Sequence, residues 1–149
     1  MKVDLKKVKK AYGTDQKLAV EGKWFPLSML EGVEVKVAKS GNPNYEKLAQ
    51  KLYKPYQDQI RRKITLSEGV TKRITTDLLV NTLLMDWRGM PGEDGMEVPF
   101  SKEVARELLD DPELKEIREE ILNFSDNFAA FQLEADEELE KNSETSLTQ

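Results

Sequence analysis

A chain of 149 residues without a single histidine or cysteine has few covalent chemistries open to it. Ser-His and Cys-His nucleophile pairs are excluded, as are thiolates, disulfides and Cys/His zinc sites. General acid-base work falls to carboxylates, lysines or tyrosines. A carboxylate enzyme or metal binder would have to be built on Glu93, Asp94, Asp110 and Asp111, and it predicts a pocket where they converge. Glu93-Asp94-Gly95 invites a calcium reading, but the alternating acidic ligands of an EF-hand loop are missing. Phosphate contact would fall to Lys2, Lys6, Lys7, Lys9 and Lys10, and to Arg61, Arg62 and Lys63. Only Tyr12 stands beside the first group to stack on a base, and no nucleic-acid motif follows. The expectation is a protein without catalysis, cofactor or metal, with nucleic acid the less favoured partner.

Recognition by apolar contact is better supplied. Leu114, Ile117, Ile121, Phe124, Phe128, Phe131 and Ala135 recur at alternating steps of three and four, the seam of a heptad. Asp111 supplies a cap, Pro112 a first-turn proline and Glu113 an acidic first turn. The pattern predicts one helix over residues 112–141, ~45 Å long at 1.5 Å per residue. An isolated helix of this kind is marginal in water, so its seam has to lie against something. That something is either the domain's own core or a partner. After Ala135 the apolar positions stop except for Leu139, while acids accumulate. Phe124, Phe128, Phe131 and Leu133 are therefore the candidate partner contacts.

The elements that position this helix follow from local signals. Residues 20–39 predict a β-hairpin: Trp24 and Phe25 precede Pro26, Glu31-Gly32 marks a turn, and residues 33–39 alternate strictly. Val33, Val35 and Val37 face one side, with Glu34, Lys36 and Ala38 on the other. Two strands alone are marginal, so Trp24 and the three valines pack on a helix or on another copy's sheet. Asn42 and Pro43 open a helix over about 43–62, interrupted at Pro55, with Ile60 inward and the basic triplet outward. Ser67 caps a helix over about 68–87, apolar on most sides from Leu78 to Trp87 and hence the centre of the core. Residues 88–100 are a Gly/Pro loop, and Ser101 caps a short helix over about 102–109. The fold class expected is α+β, mainly helical, in a single domain over residues 18–142. Residues 1–17 read as a flexible basic arm or a short helix, without the apolar stretch of a secretory signal, and residues 143–149 as a disordered tail.

Charge is unevenly placed. Residues 1–73 carry 17 basic and 8 acidic side chains, a net +9, and the rest carry 6 and 20, a net −14. Opposite poles either attract further copies into a homo-oligomer or face each other within one molecule. No run of 18 apolar residues exists to cross a membrane, and the host cytoplasm is the expected location.

The ordered motifs resemble a known family. Gly22 and Trp24 precede GVEVKVAKSGNPNYEKL at 32–48; KPY follows at 54–56 and LLMDWRG at 83–89. EDGMEVPFS at 93–101, LLDDPEL at 108–114 and EKNS at 140–143 complete the set. Over about residues 20–143 the chain resembles the small tail assembly chaperones of long-tailed bacteriophages and their prophages. The resemblance implies a non-enzymatic protein. Such a chaperone binds the tape measure protein, keeps its hydrophobic helices soluble until tail tube subunits polymerise, and is absent from the mature virion. It also implies a second, longer form made by minus-one ribosomal frameshifting, which recruits the tail tube protein. Glu140-Lys141-Asn142 suits such a site, because GAA AAA AAC contains the slippery heptamer A AAA AAC.

Overall fold

The computed structural model describes residues 1–133. Helices α1 (Leu5–Tyr12) and α2 (Gln16–Glu21) come first, then strands β1 (Lys23–Pro26) and β2 (Glu34–Val37). Helix α3 (Pro43–Tyr53) leads through a 3-10 turn, Lys54–Tyr56, to α4 (Gln57–Arg61). Helix α5 (Glu68–Leu78) runs into a π-helical turn, Leu79–Leu83, and then into strand β3 (Leu84–Arg88). Helix α6 (Lys102–Asp110), a 3-10 turn Pro112–Leu114, helix α7 (Lys115–Ser125) and a last 3-10 turn, Phe128–Phe131, complete the order. The architecture is mixed α and β, mainly helical, around one antiparallel sheet of order β1-β2-β3.

The third strand corrects the helix expected over residues 68–87. A continuous apolar run fits a buried helix and a buried strand equally well by periodicity. Here the helix loosens at Leu79 and the chain re-enters as a strand beside β2. Val37 pairs with Leu84 but Lys36 with Asp86, so Met85 is the extra residue of a bulge. Leu84 and Trp87 turn inward, while Met85 is left 38% exposed. The hairpin thus gains its third strand from the same chain, and its strands are shorter than residues 20–39 suggested.

Each sheet edge is blunted. The Leu27 N–H donates to Val33 O, which fixes the alternation and turns the Pro26 nitrogen outward, where no donor is needed. On β3 the Trp87 N–H is taken by the Asp86 carboxylate at 2.8 Å. The turn after β3 depends on Gly89, whose φ is 78°. A Cβ there would collide with the Gly32 carbonyl oxygen.

The inner sheet face meets α7 and the turn beyond it. Phe25 stacks on Phe124 with ring centroids 4.5 Å apart, and Phe131 stands 6.3 Å from it at a tilt. Val35, Val37, Leu84, Trp87, Leu109 and Ile121 share this core. Trp87 meets Phe100 edge-on at 5.0 Å and donates its indole N–H to Val98 O. Asn42, buried, bonds four backbone groups. Its Oδ1 accepts from Asn44 and Tyr45 N–H, and its Nδ2 donates to Lys39 O and Thr82 O. It caps α3 and ties that helix to the π turn at once.

The long helix expected over residues 112–141 is also corrected. It ends at Ser125, because the buried Ser125 hydroxyl bonds back to Leu122 O and the Asp126-Asn127 pair turns the chain. Asn127 then caps the Phe128–Phe131 turn. Residues 134–141, the Glu140, Lys141 and Asn142 position and the 143–149 tail lie outside the described residues. At the other end, the residues expected as a flexible arm or a short helix form the short helix α1, and α2 begins at Gln16. Ile60, expected inward, is 46% exposed, since the break at Pro55 lets α4 leave the core.

Candidate docking surface

The carboxylates do not converge. Asp110 accepts from the Thr76 hydroxyl, Asp111 caps the Glu113 N–H, and Asp94 accepts from Met96 N–H in its own loop. Glu93 is exposed in that loop. Among the described residues no group of three or more acids is placed to hold a metal ion. The triplet Arg61, Arg62 and Lys63 is exposed at the end of α4, where Arg62 reaches Asp58 at 3.6 Å.

The four aromatic and aliphatic candidates separate. Phe131 is fully buried, Phe124 packs on the core through its stack with Phe25, and Leu133 is half-buried. Phe128 alone of the four keeps a substantial exposed surface, 37%. The reason is the end of α7 at Ser125. A continuous helix would have set the rings along one stripe, whereas the turn sends Phe131 inward and Phe128 outward.

The hairpin candidates divide in the same way. Val33, Val35 and Val37 are buried in the core, and Trp24 lies on the outer sheet face. There the Arg88 guanidinium sits 4.1 Å over the Trp24 ring and bonds Glu34 at 2.8 Å. This bond from Arg88 holds the Glu34 carboxyl below its usual range and raises Arg88 in turn. Elsewhere, burial is the main cause that raises the Tyr45 phenol.

Other exposed apolar side chains lie outside the four named candidates. Met29 and Leu30 sit in the β1-β2 loop, 87% and 39% exposed, and Leu114 leads into α7 at 38%. The loop is held to α7 by the Ser28 N–H, which donates to Glu120 Oε1 at 2.8 Å. The signal for Met29 and Leu30 was present in the sequence: two large apolar residues between Pro26 and the Glu31-Gly32 turn, where a loop leaves them in water. Exposed apolar side chains are what a protein-binding surface offers where they gather in one patch.

A small helical α+β domain with such a surface belongs with proteins carried by integrated phage genomes, because residues 40–142 match the family model described as YdaY prophage protein. The match spans more than half of the chain, and the chain belongs to that family. No curated protein and no solved structure matches it.

Proposed function

We propose that this prophage protein is a non-catalytic chaperone of phage tail assembly. It binds the tape measure protein in the host cytoplasm through apolar side chains and keeps it soluble. It is released when tail tube subunits take over that surface, and it does not enter the virion. A form extended past residues 140–142 would recruit the tube subunits.

Two things support this reading beside the prophage family: the ordered motifs, and the apolar surface of the β1-β2 loop and α7. The carrying observation is that surface. Met29, Leu30, Leu114 and Phe128 reach solvent on a loop bonded to α7 and at the two ends of that helix region. An amphipathic helix of a partner recognises apolar anchors of this kind, and charged surroundings keep the complex in solution.

The test is co-expression with the tape measure protein of the same phage. The wild-type chain is expected to raise the soluble fraction of the partner severalfold. The double variant Met29→Asp/Phe128→Asp, checked for native circular dichroism, is expected to lose that effect. A partner equally insoluble with and without the wild-type chain would sink the chaperone reading. A folded double variant that still solubilises it would remove these residues as the docking surface.

A further inference from the structure

Helices α3 and α4 turn one row of side chains to the protein and another to solvent. Tyr45, Leu48, Leu52 and Tyr56 recur at steps of three and four and are half-buried. Opposite them stand Lys47, Lys51, Lys54 and Arg61, all exposed. The backbone keeps right-handed helical angles at Tyr53, Lys54 and Gln57, so the 3-10 turn carries the row from one helix to the next. The same spacing places Asp58 between Lys54 and Arg61, and there Arg62 reaches its carboxylate at 3.6 Å. The four row cations make no ion pair with any described residue. A lysine at every third or fourth position makes no run of charge, so the row emerges only once the chain is wound.

Lys47, Lys51 and Lys54 are ~4.5–6 Å apart along the axis, within the ~8 Å screening length at physiological salt, so their fields add. Like charges at these spacings weaken a helix, and an anion laid along them removes that cost. The row ends beside Lys63, whose φ of 58° is the one left-handed value outside glycine among the described residues. Its N–H bonds Ile60 O and the Ile64 N–H bonds Gln59 O, a helix ending in which glycine is the least strained residue. Lysine there adds a cation where the backbone alone favours none.

The row lacks what a protein or membrane partner needs. Protein interfaces close around an apolar centre, and membrane-surface helices insert an apolar face. Within α3 and α4 only Ile60 is a large apolar side chain left exposed, and by spacing it continues the inner row, away from the cations. A phosphodiester backbone asks only for cations set along its path.

We propose that the α3–α4 row binds the sugar-phosphate backbone of a nucleic acid without reading its base sequence. The whole chain carries a net charge of −5, so the contact is local to the row and salt-sensitive. It uses other elements than Met29, Leu30, Leu114 and Phe128, and it stands or falls independently of the tail-assembly reading.

The test follows binding of the full chain to a labelled duplex DNA and a labelled single-stranded RNA by fluorescence anisotropy, over about 50–200 mM salt. Four phosphate contacts give a slope of log affinity against log salt of about −3.6 on the duplex and about −2.8 on the single strand. Lys47→Gln/Lys51→Gln/Lys54→Gln, checked for native circular dichroism, should flatten the duplex slope to about −0.9 and weaken binding about tenfold or more at low salt. Lys47→Arg/Lys51→Arg/Lys54→Arg keeps the charges and should keep the wild-type slope. Lys6→Gln/Lys7→Gln/Lys9→Gln removes as many cations from α1 and should leave the slope unchanged. This pattern with either nucleic acid supports the proposal, and the tighter of the two names the class. No binding to either at low salt overturns it. A slope lost equally in the α1 variant overturns it too, by moving the contact to that helix. Equally tight binding to anionic phospholipid vesicles, or to polyglutamate, overturns it in favour of a membrane or an acidic protein.

Discussion

Truncating Phe131 and Phe128 to alanine separates core from surface within one turn of chain. Phe131 has no solvent exposure and contacts Phe25 in the centre of the core. Removing a ring so placed leaves a cavity and costs about 3–5 kcal/mol. For a chain of this size each kcal/mol moves the melting midpoint by about 2–4 °C. Phe131→Ala should therefore melt about 6–20 °C lower. Phe128 keeps 37% of its surface in water. Its buried part contributes about 1–2 kcal/mol, and its loss opens no sealed cavity. Phe128→Ala should melt only about 2–8 °C lower. Urea denaturation with unchanged slope m, monitored by tryptophan fluorescence and circular dichroism, gives both values. Equal destabilisation by the two substitutions, or a cost below about 1 kcal/mol for Phe131→Ala, would refute the placement of the rings.

Other perturbations have defined outcomes. Asn42→Ala removes a cap and strands buried backbone partners, and should destabilise by about 2–3 kcal/mol in the same denaturation assay. Gly89→Ala forces both a positive φ and a collision with Gly32 O, and should lower the soluble yield and the midpoint more than Gly95→Ala, where φ is also positive but the space is open. Followed by carboxyl NMR, Glu34 should titrate below the usual glutamate value, and Arg88→Gln should bring it back up towards that value. Because its folded value is depressed, any stability it lends is present above its unfolded value and fades as pH falls through the folded one. Lowering the pH from neutral should therefore weaken the wild-type chain slightly more than the Arg88→Gln variant.

Local chemistry was the legible part of the fold. Asn42, Ser67, Ser101 and Asp111 each accept the backbone N–H bonds that their side chains and positions announced. Pro43 and Pro55 start and interrupt helices as ring geometry requires. The alternation of Val33, Val35 and Val37 marked a sheet face. What was not legible depended on distant partners. Leu83, Leu84 and Met85 fit a helix or a strand alike, and the choice was made by the free side of β2. The heptad through Phe124, Phe128 and Phe131 was a real apolar pattern, but Ser125, Asp126 and Asn127 carry competing hydrogen-bond chemistry that ends the helix. For the same reason the candidate surface was only half legible. Phe128 lay within the stripe, whereas the exposure of Met29 and Leu30 depends on how the hairpin loop meets Glu120.

The rings that close over Phe25 arrive about a hundred residues after it in synthesis. At roughly 5–20 residues per second, the ribosome needs roughly 2 to 9 s to pass from Arg88 to Phe131. A chain whose three strands are free to pair before Phe124 and Phe131 follow keeps one broad greasy side bare. A message cut short before Phe124 would release just such a polypeptide, prone to clump with its neighbours. The last stretch of α7 and its turn is thus the lid on which a clean birth of this molecule depends.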